Sequence, residues 1–406
     1  MRSESATLAA QAPWVLEMPW HHRRLVDHIA KLRRGTLTVT LASHRPFTLK
    51  GPEPGPDAAI TIAHPAALMR RLLWRGDLGF AESYLAREWE TPDLARLLEL
   101  LALNLDAYDA TQRRTWLSQA WVGLRHWANR NTRRGSRRNI AAHYDLGNDF
   151  YTQWLDPSMT YSSAVFREGD SLEAAQQRKY AGMLDMLDAS PGEHILEIGC
   201  GWGGFAEYAA RRGMRVTGLT LSQEQLSYAR DRIARAGLSD LVDLRLCDYR
   251  DLRIAVDHVV SIEMFEAVGR EYWAGYFDAI CRCVRPGGRA ALQVITIDEA
   301  QFEEYASTPG GFIQTYIFPG GMLPTKTHLG ELGTAAGLEL TALNPYGIDY
   351  ADTLSTWHAR FNSCTDWLDD HGYDDRFRRM WRYYLAFCEA GFRSHQIDVV
   401  QCCYKR

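Results

Sequence analysis

A chain of 406 residues is long for one domain, so two are expected, and with 46% hydrophobic and 24% charged residues it has the apolar material for a packed core. The formal net charge of −4 argues against bulk electrostatic binding to nucleic acid. Its eight cysteines (Cys200, Cys247, Cys281, Cys283, Cys364, Cys388, Cys402 and Cys403) form no CxxC pair and meet no histidine at zinc spacing, so no metal site is expected.

The opening residues, MRSESATLAAQAPW, lack the charged-then-apolar plan of a signal peptide, and no apolar run approaches the ~20 residues of a membrane span. A cytoplasmic protein with reduced thiols is the expectation. Strand-like alternation in Gly35–Leu41 is followed by a turn-rich stretch, Lys50–Asp57, and by a second β-like piece, Ala59–Ala63. Helical periodicity runs over Pro65–Trp74 and Pro92–Leu105. These elements predict a small α+β domain over residues 1–110, without a catalytic constellation.

Residues 111–139 differ in character. Arg113, Arg114, Arg125, Arg130, Arg133, Arg134, Arg137 and Arg138 interleave with Trp116, Trp121 and Trp127, and no acid falls between Asp109 and Asp145. Trp116, Leu117, Trp121 and Leu124 lie at helical spacing. An amphipathic helix with an arginine-rich tail suits an anionic membrane surface, because Trp prefers the interface and Arg meets phosphate. The alternative is a solvated linker helix whose tryptophans pack on the next domain.

Residues 140–406 read as a third segment. Strands are predicted at His194–Cys200, Met214–Leu221, Val242–Asp248, Asp257–Glu263 and Arg289–Ile297, with helices near Gly203–Arg212, Ser222–Gly237 and Glu271–Val284. That alternation predicts a doubly wound parallel α/β sheet with right-handed crossovers. An insert over Asp298–Pro324 follows, then a helix–strand pair, helices over Asp352–Asp370 and Asp375–Ser394, and a closing strand, Gln396–Tyr404.

The sharpest local signal is Leu196-Glu-Ile-Gly-Cys-Gly-Trp-Gly-Gly204, a strand running into a glycine-rich turn and a helix. Gly199, Gly201 and Gly203 let the backbone turn tightly and approach a ligand. The spacing departs from GxGxxG, and Glu197 sits in the strand end where methyltransferases place an acid, so S-adenosylmethionine is favoured over nicotinamide. The second strand ends in Thr220, Ser222 and Gln225 rather than in a ribose-binding carboxylate, and Ser222 is also a candidate helix N-cap. After the third strand, Asp248 is placed to accept from an adenine amino group and Tyr249 to stack on the ring.

Six ordered motifs resemble the cyclopropane-fatty-acyl-phospholipid synthase family, and the resemblance covers nearly the whole chain. They are His143-Tyr-Asp-Leu-Gly-Asn-Asp149, Met159-Thr-Tyr-Ser-Ser163, the glycine loop, Thr220-Leu-Ser-Gln-Glu-Gln225, Phe265-Glu266 with Val268-Gly269, and Tyr316-Ile-Phe-Pro-Gly-Gly-Met-Leu-Pro324. Gly76–Tyr84 is similar to the family's N-terminal domain. The resemblance implies a class I methyltransferase (Rossmann-like) sheet with an acyl-binding insert. It also implies cofactor contacts at Tyr161, Ser162, Gly199, Gly201, Thr220, Gln225 and Tyr249. The implied reaction adds the cofactor's methyl group to the double bond of an unsaturated phospholipid acyl chain, at the inner face of the membrane, and closes a cyclopropane ring.

In that family the closing proton goes to a bound bicarbonate, held by a Glu, a His, a Tyr and groups around two Cys. The Glu corresponds to Glu266, the Tyr to Tyr350 and one Cys to Cys388. At the other two positions this chain departs, with Ser163 for Cys and Gln293 for His. Gln293 can donate a hydrogen bond but cannot carry a proton as imidazole does, which weakens ring closure more than methyl transfer. A lipid C-methyltransferase giving methyl-branched or methylene chains, and a small-amine N-methyltransferase, stay open, and a homodimer is one admissible assembly. Read by themselves, Cys388 is a core thiol, Glu266 a surface acid and Tyr350 a loop aromatic. Trp202, Phe265, Tyr316, Phe318 and Phe392 fit either an ordinary core or an acyl tunnel.

Overall fold

Side chains that alternate between buried and exposed along Arg34–Leu41 make β1, with Leu37, Val39 and Leu41 turned inward. The structure is a computed structural model, and it describes residues 26–27, 29–42, 45–109, 146–307 and 310–406. The described residues form two compact units, the first from residues before 110 with 310–312 and 365–394, the second from the remainder. The arginine- and tryptophan-rich segment 111–139 lies outside the described residues, as do His143, Tyr144 and Asp145.

In the first unit β1 pairs antiparallel with β2 (Phe47–Lys50) and parallel with β3 (Glu53–Ile62), which pairs antiparallel with β4 (Trp89–Glu90). The stretch Lys50–Asp57, expected as turn, is mostly strand. Its Pro54, Gly55 and Pro56 sit where the register with β1 slips between Arg34 and Thr36, and a Cβ on Gly55 would lie 2.8 Å from the Gly35 nitrogen. These residues mark a bulge and a close backbone approach rather than a loop. Helix α1 (Pro65–Leu85) runs past the expected end at Trp74 and bends at Gly76, whose φ of 53° and ψ of −132° leave the helical region. Helix α2 (Leu94–Ala102) starts at Asp93, whose side chain accepts from the Arg96 N–H, and α3 (Leu105–Asp109) follows.

The second unit opens with α4 (Asn148–Thr152) and α5 (Leu172–Leu187). Strand–helix alternation then gives β5 (His194–Ile198), α6 (Gly204–Ala210), β6 (Arg215–Thr220), α7 (Gln223–Arg235), β7 (Val242–Leu246), β8 (Val256–Ile262), α8 (Trp273–Cys283) and β9 (Val284–Ile297). Two short helices in the insert, α9 (Phe302–Ser307) and α10 (Phe312–Tyr316), precede α11 (Lys326–Ala335) and β10 (Glu339–Pro345). The helix expected over Asp352–Asp370 begins earlier and breaks at Cys364, giving α12 (Gly347–Ser363) and α13 (Thr365–Asp370). Next comes α14 (Asp375–Arg393), which packs on α2 in the first unit, and β11 (Ile397–Lys405) returns to the sheet.

That sheet has seven strands in the order β10-β11-β9-β8-β5-β6-β7, parallel from β9 to β7, with β11 antiparallel to both β9 and β10. Both faces are covered, as a parallel sheet requires. On one face Leu196, Val259, Leu292 and Tyr404 pack against Tyr276 and Phe277 of α8. On the other, Ile195, Val216, Val260 and Ala291 meet Met183 of α5, Phe205 of α6 and Leu226 of α7. The chain goes from β5 out to β6 and later returns to β8 on the opposite side of β5. The strand order therefore reverses between β5 and β8, and in such sheets a crevice opens at the carboxyl ends there.

Candidate active site

The three turn glycines have different physical causes. Gly199 and Gly203 carry φ of 88° and 80°, and a Cβ on them would meet the Met264 side chain at 2.9 Å and the Ala229 side chain at 3.1 Å. Gly201, at φ 50°, faces open space, with nothing within 4 Å of an added Cβ. That opening lies over the carboxyl end of β5, so the turn presents bare backbone to a cradle that a side chain would fill. Beside it, the Ser222 side chain caps α7 by accepting from the Gln225 N–H at 3.2 Å. The Thr220 hydroxyl donates to Gln225 Oε1 at 3.0 Å, which holds the amide at the end of β6.

Asp248 is taken up by Arg250, which pairs with it at 2.6 Å and also binds it through its own backbone N–H. Tyr249 is half-buried, and its ring packs edge-on to Tyr276. Glu197 is buried at the end of β5 with one carboxylate oxygen lacking a hydrogen-bond partner, and burial pushes its pKa up to about 8. An unpartnered buried carboxylate oxygen beside an open glycine cradle fits a cationic or hydrogen-bond-donating ligand such as S-adenosylmethionine.

The second cluster converges on a residue that the motifs do not single out. Glu263 follows β8 directly, and its backbone N–H donates to the Gln293 carbonyl of β9 at 2.8 Å. Its carboxylate accepts from the Ser163 N–H at 2.8 Å, from Gln293 Nε2 at 2.7 Å and from the Tyr350 hydroxyl at 2.7 Å. Gln293 is aimed in turn, because Gln401 of β11 donates to its Oε1 at 2.9 Å. Ser163 is held from α12, where Thr353 accepts the next N–H, that of Ala164, at 3.0 Å.

Glu263 adopts φ 48°, a left-handed backbone that favours glycine and costs a longer side chain of order 1–3 kcal/mol. Strain of that kind, held by three hydrogen bonds, is a mark of function. Burial raises the Glu263 pKa, and the Lys179 ammonium, Gln293, Tyr350 and Ser163 pull it back down.

Glu266 lies three residues further on, half-buried with its carboxylate turned inward, so it is not a surface acid. One oxygen accepts from the Ile295 N–H at 2.5 Å, and the other has no hydrogen-bond partner. Burial first, and the neighbouring Glu263 charge second, push its pKa up to about 8. Tyr350 stands on α12 rather than in a loop. Around it Tyr161, Trp154 and Trp357 form an aromatic group, with the Tyr161 and Trp357 centroids 5.4 Å apart and Tyr350 perpendicular to Trp357 at 6.1 Å. Aromatic faces of this kind favour a developing cation.

Ser163, Gln293 and Tyr350 thus come together, but around Glu263, and the Glu266 carboxylate is tied to β9. Cys388 is on α14 in the first unit, where burial pushes its thiol up to about 12. Trp202 is buried, and its indole N–H donates to Asn148 at 2.7 Å. Phe265 belongs to the core against α8, Phe392 is buried in the first unit, and Tyr316 and Phe318 are half-buried.

Two residues escape sequence reasoning. Glu263 has a legible signal, a second carboxylate three residues before Glu266 at a strand's carboxyl end. Lys179 has none, since a lysine on a helix is ordinarily solvated.

Comparison with known proteins agrees with this geometry. Residues 131–402 match the family model described as mycolic acid cyclopropane synthetase. The tuberculostearic acid methyltransferase UfaA1 of Mycobacterium tuberculosis is 42% identical over 84% of this chain and 82% of its own. The cyclopropane-fatty-acyl-phospholipid synthase of Escherichia coli is 33% identical over 90% of this chain and 92% of its own. Among solved structures, the cyclopropane synthase MmaA2 of Mycobacterium tuberculosis superposes with a TM-score of 0.63 at 32% identity, covering 66% of this chain and 98% of that one. The mycolic acid cyclopropane synthase CmaA1, complexed with SAH and CTAB, gives 0.62 at 31% identity, over 66% of this chain and 98% of its own. A doubly wound sheet, an open glycine cradle beside a buried acid and these matches lead to one conclusion: the chain belongs to the mycolic acid cyclopropane synthetase family of S-adenosylmethionine-dependent lipid methyltransferases.

Proposed function

We propose that this enzyme methylates the double bond of an unsaturated phospholipid acyl chain and removes the resulting proton with Glu263, a base carried by the chain itself, giving a methyl-branched or methylene product. Glu263 carries the reading. Ser163, Gln293 and Tyr350, the groups expected around a bicarbonate, hold its carboxylate instead, and they cannot hold a free anion at the same time.

S-adenosylmethionine supplies an electrophilic methyl group on a sulfonium, and sulfur leaves as a neutral thioether while the alkene's π electrons form the new carbon–carbon bond. The cation left on the acyl chain faces the aromatic group of Tyr161, Trp154 and Trp357, whose ring faces stabilise it and whose bulk excludes water. Glu263 takes one proton from a carbon beside the cation, or from the added methyl group after a hydride shift, and the electrons of that C–H bond restore an alkene. Tyr350 and Gln293 fix the angle at which the carboxylate presents itself.

The cyclopropane product instead requires a proton taken from the new methyl group as the ring bond closes, the role assigned to bicarbonate. A carboxylate tied to β8 approaches from one fixed direction, and the 42% identity to a tuberculostearic acid methyltransferase supports the branched outcome. The acyl substrate and an anionic membrane contact through residues 111–139 are part of the same proposal; composition supports the second.

The test is turnover of unsaturated phospholipid vesicles in degassed buffer, with and without bicarbonate, and products separated by mass spectrometry and NMR. Bicarbonate-independent formation of an acyl chain gaining one CH₂ and retaining an alkene is the expected result. Ring product that depends on bicarbonate overturns the reading.

A further inference from the structure

Lys179 lies on α5 with no exposed surface, although lysine almost never buries its ammonium without a reason. Its Nζ donates to Ser162 Oγ at 2.5 Å. One helical turn earlier, Gln176 Nε2 donates to the Ser162 carbonyl at 2.9 Å, so two side chains on one face of α5 grip the same residue. The next N–H along the chain, that of Ser163, is the one that binds Glu263. Ser162 thus stands between the cofactor side, where the family motif places it, and the proposed base.

Three carboxylates face the ammonium from three elements: Glu263 after β8, Asp156 after α4 and Glu197 in β5. Asp156 is partly engaged, accepting from the Ser158 and Thr160 N–H groups. The neighbouring Tyr180 hydroxyl pairs with Thr160, and the Arg232 guanidinium binds the Ser158 and Trp202 carbonyls. The Glu263 charge in turn raises the pKa of the neighbouring Glu266.

We propose that Lys179 is a positioning residue of this site, fixing the Ser162–Ser163 step between cofactor and base and supplying the counter-charge that keeps Glu263 ionised. The proposal rests on the reading of Glu263 as the base. The physical reason is the cost of a bare carboxylate in a dry cavity, where an opposite charge nearby lowers a carboxyl pKa by about one to three units. Burial itself lowers the Lys179 pKa, so the counter-charge fades at a lower pH than that of a solvated lysine. The pair then titrates as a unit, and its two macroscopic steps bound the pH range in which an ionised Glu263 faces a charged Lys179.

The experiment is an infrared titration of the Glu263 carboxyl stretch, with Glu263→Gln as the subtraction, in wild type, Lys179→Met and Lys179→Arg. It runs beside kcat against pH and calorimetry of S-adenosylmethionine. In Lys179→Met the carboxyl midpoint should rise by about one pH unit or more, the acidic limb of kcat should move with it, and Lys179→Arg should restore part of the shift. Should Lys179→Met not fold, Lys179→Gln keeps a donor for Ser162 without the charge and carries the same titration. An unchanged carboxyl midpoint on loss of the charge overturns the proposal. A failure of Glu263 as the base shows itself separately, as full turnover in Glu263→Gln, and the titration still tests Lys179 independently.

Discussion

Replacing Glu263 by Gln removes one charge and little else. The Ser163 N–H and Gln293 Nε2 both reach Oε1, so the amide oxygen of a glutamine keeps both bonds. The new Nε2 then faces the Tyr350 hydroxyl, which can reverse and accept. What is lost is the charge assistance in these bonds, about 1 kcal/mol in each. That is small enough for the fold to persist with a melting temperature lowered by a few degrees. The left-handed backbone at Glu263 is unaffected, since glutamine meets the same φ strain. Catalysis should respond on another scale, because loss of a positioned base typically costs ~10²–10⁴-fold.

The assay is release of S-adenosylhomocysteine from unsaturated phospholipid vesicles, paired with calorimetry to show that cofactor affinity holds. Glu263→Gly supplies the complement. It relieves the φ of 48° and empties the space between Ser163, Gln293 and Tyr350. Added bicarbonate should then restore part of the turnover, with a larger share of ring product. Turnover of Glu263→Gln within about two-fold of wild type would show that the proton leaves by another route and refute the base assignment.

Gly201→Val should abolish S-adenosylmethionine binding in calorimetry, because the open space above Gly201 is filled and φ of 50° disfavours a branched residue; retained affinity would remove the loop from the site. Ser222→Ala removes the cap of α7 and should cost about 1 kcal/mol in denaturant unfolding. The pH dependence follows from Glu266, whose folded pKa of about 8 lies above its ordinary value near 4.5. Between those values the folded state binds more protons than the unfolded one, so this group's contribution to stability is present at low pH and is lost as pH rises toward 8. Melting curves of Glu266→Gln over that range should depend less on pH than those of wild type, and equal slopes would show that Glu266 is not buried as described.

Local chemistry is enough to read the frame of this protein. The change from period 2 to period 3.6 along residues 194–297 marks each strand and helix, because a parallel sheet buried on both faces needs apolar strands between amphipathic helices. The turn at 199–204 and the capping pattern at Ser222 are equally local, each set by backbone geometry within a few residues. Composition alone misleads elsewhere: Pro54, Gly55 and Pro56 look like a loop, yet pairing with β1 makes them a bulged strand. Tyr350 looks like a loop residue, yet it is helical because α12 packs along β11. The meeting at Glu263 lies beyond any local pattern. Its partners are 100, 30 and 87 residues away in sequence, and they converge only because β8 ends beside Gln293 of β9 and α12 begins next to them. Lys179 is the extreme case, since whether a helix lysine is solvated or buried beside three carboxylates depends on what the fold packs against it, a property of the tertiary structure alone.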